Sequence, residues 1–455
     1  MKPALATLAA TDSAQSWRTL AGCGVLAIFS VGALYGATFG LFLLPLQQSL
    51  GWGRAEIAFS LTLMTFIGPL VVPVTGWIID HVALRPLVLW GVVAQSINLA
   101  AFGFMGGNIW VYYLLVFLLM FTAAGPSILT LAKLVQGWFD QSLGRAMGIL
   151  FACGAVGGVI HPLWVQAVIS QVGWREAFVV MGALSLVIAG SVGWWSVYQA
   201  ERAPDHGAAV PSPETEAAAA LLLVREREPA ARREPLAGLD ARKPVSTAAA
   251  ANGKGPDSMA AFMRDAIWWK LALFNMLFAF GTGAIFLHFA ALLQDRGAAP
   301  AQAAIAMSLV AAGGFFGNLL AGWLVDRWSA RWLAVLLMLA PMAAALLLYA
   351  GGPVSAAIAA GALLGLCSGG DNSLSIFLAR RYFHPGIFGR ASATQFIAAT
   401  LGGGVSPWLS GLVHDRTGNY DLALLVAAGS FGAAALAAAW LPESRTAAVP
   451  QPSPT

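Results

Sequence analysis

The sequence predicts an all-α membrane protein, with twelve transmembrane helices in two similar six-helix halves, and three observations carry that prediction. The 455 residues are 58% hydrophobic and 10% charged, too little polar surface to close a water-soluble globule of this size. Apolar runs of about 20 residues, enough to cross a hydrocarbon core about 30 Å thick, recur along the chain. Features of the first half also return in the second at a nearly constant spacing. The 17 Trp and 50 Gly suit a bilayer, since Trp anchors at the headgroups and Gly lets helices approach closely.

In the first half the predicted spans run from Leu20 to Leu46, Ile57 to Ile79, Pro86 to Met105, Trp110 to Gln136, Ala146 to Ile169 and Trp174 to Val197. In the second they run from Trp268 to Leu293, Ala301 to Val325, Trp332 to Tyr349, Val354 to Ala379, Ala391 to Val413 and Tyr420 to Leu441. The first apolar run is longer than the roughly 7–15 residues of a signal-peptide core, so it is expected to stay as a span. The expected organisation is a tail over 1–19, a bundle over 20–198, a linker over 199–265, a second bundle over 266–441 and a tail over 442–455. The linker alternates Pro, Ala, Glu and Arg with almost no aromatic residue, a composition that cannot bury a core and is expected to be disordered.

Lys and Arg favour the cytoplasmic side of membrane proteins. Placing the amino terminus inside leaves Arg54, Arg175, Arg296 and Arg416 outside and Lys133 within a span. Both termini and the linker are therefore expected in the cytoplasm, with the protein in the cell membrane.

The net charge of +4 does not indicate nucleic acid, because the positive residues sit between apolar stretches instead of on an aromatic-studded soluble face. Cys23, Cys153 and Cys367 lie far apart in apolar segments, with neither a C-x-x-C pair nor a His at ligand spacing, and read as packing residues. Gly402-Gly-Gly404 lacks the Lys-Ser/Thr of a phosphate loop and falls inside a span. No nucleophile, base and orienting group come together in the sequence. An enzyme, a metal site and a cofactor are not expected.

The repeat is specific. Gly76-Trp-Ile-Ile-Asp80 followed by Arg85 meets Gly322-Trp-Leu-Val-Asp326 followed by Arg331. Trp138-Phe139 with Gly144-Arg145 meets Tyr382-Phe383 with Gly389-Arg390, and Pro162 after Gly157-Gly158 meets Pro407 after Gly402-Gly-Gly404. Two six-helix units in the same orientation typify carriers that rock two halves about a central site.

On these residues the chain resembles the major facilitator superfamily over nearly its whole length outside the linker. That family's signature between helices 2 and 3, G-x-x-x-D-[RK]-x-G-[RK]-[RK], is partly kept by Gly76, Asp80 and Arg85 and by Gly322, Asp326, Arg327 and Arg331. Ala83 and Ser329 stand where it has an internal Gly, and His81 where it has a basic residue. Asp80, Arg85, Asp326, Arg327 and Arg331, with Arg145 and Arg390, are expected to form a charge latch that opens and closes with the carrier. Gly137-Trp-Phe-Asp140 followed by Gly144-Arg-Ala-Met-Gly-Ile149 is similar to the monocarboxylate and oxalate/formate transporter group, as are Gly369-Gly-Asp371 and Leu293-Gln-Asp-Arg-Gly297. Carboxylate transporters of that group generally hold the acid with an Arg in helix 8, and some with a Lys in helix 11. Neither stretch carries a cation here.

Charge deep in a span costs at least about 2.5–3.5 kcal/mol and marks a cavity or a partner. Asp371 precedes Tyr382 by about 16 Å at about 1.5 Å per residue, near mid-bilayer, as a coupling group or a buried structural carboxylate. Lys133 precedes Trp138 by about 7.5 Å, close enough to snorkel to the interface or to attract an anion from a cavity. The resemblance puts helices 4 and 10 beside the central path, where Lys133 and Asp371 could face one another. His288 and His161 are proton-relay candidates, with hydrogen-bonded packing as the alternative. Pro162 and Pro407 are expected to make helices 5 and 11 kinkable.

The expected function is a secondary carrier of a small organic anion, monocarboxylate-like and proton-coupled, acting as a monomer by alternating access. An exporter of amphipathic compounds is the alternative within transport, and a membrane sensor or scaffold using the linker is the alternative outside it.

Overall fold

A computed structural model describes residues 14–139, 142–199, 266–325, 327–383 and 388–442. Asp326, most of both predicted tails and all of the predicted linker but Gln199 lie outside these residues. In the first half the helices are α1 (Ala14–Ile28), α2 (Ala37–Leu50), α3 (Arg54–His81), α4 (Leu84–Gly103), α5 (Ile109–Thr122), α6 (Ile128–Gln136), α7 (Leu143–Val172), α8 (Trp174–Leu184) and α9 (Gly190–Gln199). In the second they are α10 (Ala266–Phe286), α11 (Phe289–Asp295), α12 (Pro300–Val325), α13 (Ala330–Ala350), α14 (Val354–Tyr382), α15 (Phe388–Thr417) and α16 (Asp421–Ala439).

Ten of the described spans are long and apolar enough to cross a membrane. An eleventh is bent, with Arg54–Gly68 inclined at 66° to Pro73–Ile79. Pro69 and Pro73 withhold two backbone donors at that bend, which is the ordinary cause of a sharp kink. Short π-helical segments at Gly32–Gly36 and Ser185–Ala189 interrupt the first and sixth spans.

Two predicted single helices are broken. The stretch from Trp110 to Gln136 divides into α5 and α6 at Gly125-Pro126-Ser127, where Pro126 cannot donate and the Ser127 hydroxyl accepts from Thr130 N to start a new helix. The Thr130 hydroxyl donates to Ala124 O at 2.7 Å. Backbone freed inside a bilayer must be satisfied by such neighbours. The seventh span breaks at Leu287-His288, between α10 and α11.

The first half closes around buried aromatics, with the Phe42 and Phe178 rings stacked at 4.0 Å and Phe102 stacked on Phe178 at 5.1 Å. The second half closes on glycine. Where α12 crosses α14, a Cβ on Gly317 would overlap Leu366 O, and one on Gly369 would overlap Gly314 O. Small residues four apart let two transmembrane backbones touch.

Connections that join the spans in pairs put Gly51, Gly173, Gly297, Gly351 and Gly418 at the end away from the termini, the distal end. Each of the five has positive φ, the backbone state glycine adopts freely where a chain leaves or enters a helix. The halves meet in this distal part: Gly40 of α2 lies against Leu287 O, Gly158 of α7 against Ala311 of α12, and Gly411 of α15 against the first turn of α3.

Candidate functional site: a cavity between the halves and the polar cluster that seals its distal end

Helices α2, α3, α5, α10, α11, α12 and α15, with the π-helical segment at Gly32–Gly36, enclose a cavity of about 450 Å³ between the halves. Its wall is apolar, with Phe39, Leu61, Met64, Phe286, Leu287, Met307 and Pro407 among the lining side chains. Tyr35, stacked on Phe39 at 5.1 Å, is among the lining residues, but its hydroxyl is buried behind the wall. Its backbone belongs to the π-helical turn, the kind of irregularity that often marks functional positions. A solute held here meets mostly hydrocarbon.

The four charged or titratable candidates do not gather on the lining. Asp371 is buried in α14 at 9% exposure, inside the second half. Ser375 Oγ lies 3.3 Å from Asp371 Oδ1 and donates to Asn275 Oδ1 at 2.7 Å, while Asn275 Nδ2 donates to Gln395 Oε1 at 3.1 Å. A polar chain thus links α14, α10 and α15.

Lys133 is exposed near the end of α6 and donates to Ile79 O at 3.0 Å, in the last turn of α3. His161 is buried, with Nε2 bonded to Ile28 O at 2.9 Å and Nδ1 accepting from Trp164 Nε1 at 2.8 Å. His288 stands between the lining residues Leu287 and Phe289, one layer behind the wall. Pro162 and Pro407 both lie inside continuous helices, α7 and α15.

For the expected latch, the side chains of Asp80 and Arg390 also fall outside the described residues. Arg85 is half-buried and Arg145 exposed. Arg327 donates to Trp323 O at 3.1 Å and lies 4.1 Å from the Trp323 ring centre, and Arg331 lies 5.4 Å from that of Trp332. Beyond the local backbone of their own helices, no described residue lies within 4 Å of where a Cβ would stand on the motif glycines Gly76 and Gly322.

At the distal end of the cavity sits a cluster that motif reasoning missed. Arg54, 3% exposed, begins α3 and reaches across to the second half. Its guanidinium holds Asp295 by two bonds, at 2.5 and 2.9 Å, and also donates to Tyr420 Oη at 2.8 Å and to Gln47 Oε1 at 2.9 Å. A planar fork facing a carboxylate is the strongest arrangement Arg offers. In return, Asp415 at the end of α15 accepts from the backbone N–H groups of Arg54 and Ala55, at 3.0 and 2.9 Å. A carboxylate of one half thereby caps the positive end of a helix in the other.

The cluster continues inward. Tyr420 Oη lies 3.0 Å from His288 Nδ1, and His288 Nε2 lies 2.8 Å from Pro407 O. His414 stands 3.6 Å from Asp295 and 3.8 Å from Asp415. Thr62 Oγ1 donates to Gly404 O at 2.8 Å one layer below. The topology offered a signal: the ends of spans 7 and 11 and the starts of spans 2 and 12 all fall on one side, which brings Asp295, Asp415, Arg54 and Tyr420 within reach.

Comparison with known proteins gives a consistent picture. A family model described as Major Facilitator Superfamily matches residues 24–288 and 271–454. Among curated relatives, "Probable L-galactonate transporter" of Escherichia coli is 24% identical over 157 residues, 34% of each chain. "Probable sulfoacetate transporter SauU" of Cupriavidus necator is 27% identical over 157 residues, 33% of this chain and 32% of its own. The chain thus spans about a third of the length of these relatives. Among solved structures, a bacterial homologue of the human lysosomal transporter Spinster, in an inward-facing unoccupied state, superposes with TM-score 0.64 at 15% identity, over 94% of this chain and 95% of its own. The nucleoside transporter NupG superposes with TM-score 0.68 at 13% identity, over 92% and 98%.

Proposed function

The chain belongs to the major facilitator superfamily, and on that premise we propose that it is an alternating-access carrier of a small organic anion with an apolar body, moved together with a proton. The observation that carries this reading is the cavity between the halves: about 450 Å³, lined by hydrocarbon and sealed distally by the cross-half Arg54–Asp295 pair and the Asp415 cap. That volume suits a small metabolite. The anion names of the two relatives agree with this class of cargo.

The apolar wall also bears on the coupling. A bare carboxylate in such a wall, with no cation on the lining, is strongly disfavoured, so a neutral pair of acid and proton is the species it suits. In this reading Asp371 carries a proton of its own. Ser375 spends its one proton on Asn275 Oδ1, so a protonated Asp371 would donate into the 3.3 Å gap to Ser375 and complete the chain. In this reading the distal end faces outward, and both termini and the linker are cytoplasmic, in the cell membrane. The same reading takes a tail over 1–19, bundles over 20–198 and 266–441, a linker over 199–265 and a tail over 442–455, with Lys133 and the paired signature charges working on the cytoplasmic side.

The test is uptake of labelled organic acids of graded length into proteoliposomes, with and without an inward proton gradient. Gradient-driven accumulation of a small acid is expected in the wild type. Asp371→Asn is expected to lose at least tenfold of the driven uptake while keeping exchange, and Lys133→Ala to keep most of both. Movement of apolar dyes without any acid accumulation would replace this reading with export of amphipathic compounds, which the same apolar wall also suits.

A further inference from the structure

We propose that His288 is a proton-binding site closed by the Arg54–Tyr420 contact when the distal end is sealed and opened to outside protons when the halves part there. The inference rests on the carrier reading above and adds to it where and when the proton enters.

The donors and acceptors fix its first half. Pro407 O can only accept, so His288 Nε2 must carry a hydrogen to make its 2.8 Å bond. Arg54 can only donate, so the lone pair of Tyr420 Oη takes its N–H at 2.8 Å, and the Tyr420 hydroxyl proton is left for His288 Nδ1 at 3.0 Å. The chain therefore runs one way, from Arg54 through Tyr420 and His288 to Pro407, and holds a neutral imidazole with its Nδ1 lone pair occupied. A second proton on Nδ1 would have to use the remaining lone pair of Tyr420 Oη and turn the hydroxyl proton away from both of its described partners.

Burial agrees with this assignment, since His288 is 1% exposed and Arg54 3% exposed. The charged and titratable groups facing the site come from every neighbouring element: Arg54 from α3, Asp295 from α11, His414 and Asp415 from α15, and Tyr420 before α16. Arg54 is the member contributed by the first half. When the halves separate distally it leaves with α3, the Tyr420 hydroxyl loses its donor, and water reaches Nδ1. The imidazole then takes a proton at Nδ1, while Nε2 still points at Pro407 in the cavity wall. Closing again requires that proton to leave.

The sign follows by linkage: the proton binds the distal-open state better, so acid shifts the population toward it, by at most about tenfold per pH unit for one proton. The experiment is a spin-label distance measurement across the distal end. Labels go on Ser49→Cys and Thr417→Cys, one exposed residue in each half, in a protein with Cys23, Cys153 and Cys367 replaced by Ser. The protein is held in lipid nanodiscs without substrate, from about pH 8 to about pH 5.5, either side of the usual histidine value of about 6.5.

A growing long-distance population in acid is expected for the wild type, and a distribution independent of pH for His288→Gln. A persistent acid response in His288→Gln, or none in the wild type, overturns the proposal. If His288→Gln differs from the wild type even at the alkaline end, Tyr420→Phe decides: it frees Nδ1 in the sealed state and should shrink the response at least threefold, and an undiminished response overturns the proposal. No cargo is added, so a failed distance response leaves the uptake experiment standing, and a failed uptake experiment leaves the distance response intact.

Discussion

Arg54 carries more cross-half bonding than any other side chain described here. Truncating one partner of a buried, hydrogen-bonded charge pair costs about 2–5 kcal/mol, and Asp295, whose side chain is 34% exposed, places this pair at the low end. Arg54→Gln should therefore shift the resting population toward the distal-open state by at least tenfold, read as faster alkylation of Thr62→Cys by an impermeant maleimide. The reversed pair, Arg54→Asp with Asp295→Arg, should recover part of that shift. An unchanged alkylation rate in Arg54→Gln would show that the pair does not hold the distal end. Asp415→Ala should act in the same direction but more weakly, since a lost cap costs about 0.5–2 kcal/mol. In sequence Arg54 reads as one of four charges on the outer side. Its partners Asp295, Asp415 and Tyr420 lie in the other half, so no local pattern reveals the pairing. The histidine at 288 was legible as a buried titratable residue in a span, whereas its bonding to Tyr420 and Pro407 required the fold.

At the scale of helices, hydropathy recovers the spans because lipid imposes their length, and the duplicated Gly-Trp-x-x-Asp stretch recovers the two halves. The breaks were harder to read. Gly125-Pro126-Ser127 carries a breaker and a cap, yet the apolar run continues through both, and a hydropathy reading passes over them. Leu287-His288 has no breaker at all, and the turn accompanies the bonds that His288 makes to α15 and Tyr420.

Glycine works differently in different helices. Gly369→Ala should overpack the crossing of α12 and α14 and cost about 1–3 kcal/mol, seen as a lower Tm in detergent. Gly148→Ala in α7, with no described atom beyond the local backbone of its own helix within 4 Å of the new Cβ, should be neutral or stabilising by up to about 1 kcal/mol. Equal losses at the two positions would contradict the close-packing account.

For the molecule as a whole, the account is of two six-helix halves sealed at one end by Arg54, Asp295, Asp415 and Tyr420 around a cavity with almost no charge. The family and fold were legible in the sequence. The apolar character of the cavity was foreshadowed by the missing cations in spans 8 and 11, but which side chains line it depends on how the halves pack.

The central claim, that this cavity opens alternately to the two sides for a small organic acid, is tested most directly by counterflow. Proteoliposomes are loaded with an excess of unlabelled acid and given a trace of the labelled acid outside, with no proton gradient. The account predicts a transient accumulation of label above equilibrium, because each return of the loaded site brings label inward. Label that rises only to equilibrium, at a rate indifferent to the internal acid, would contradict it.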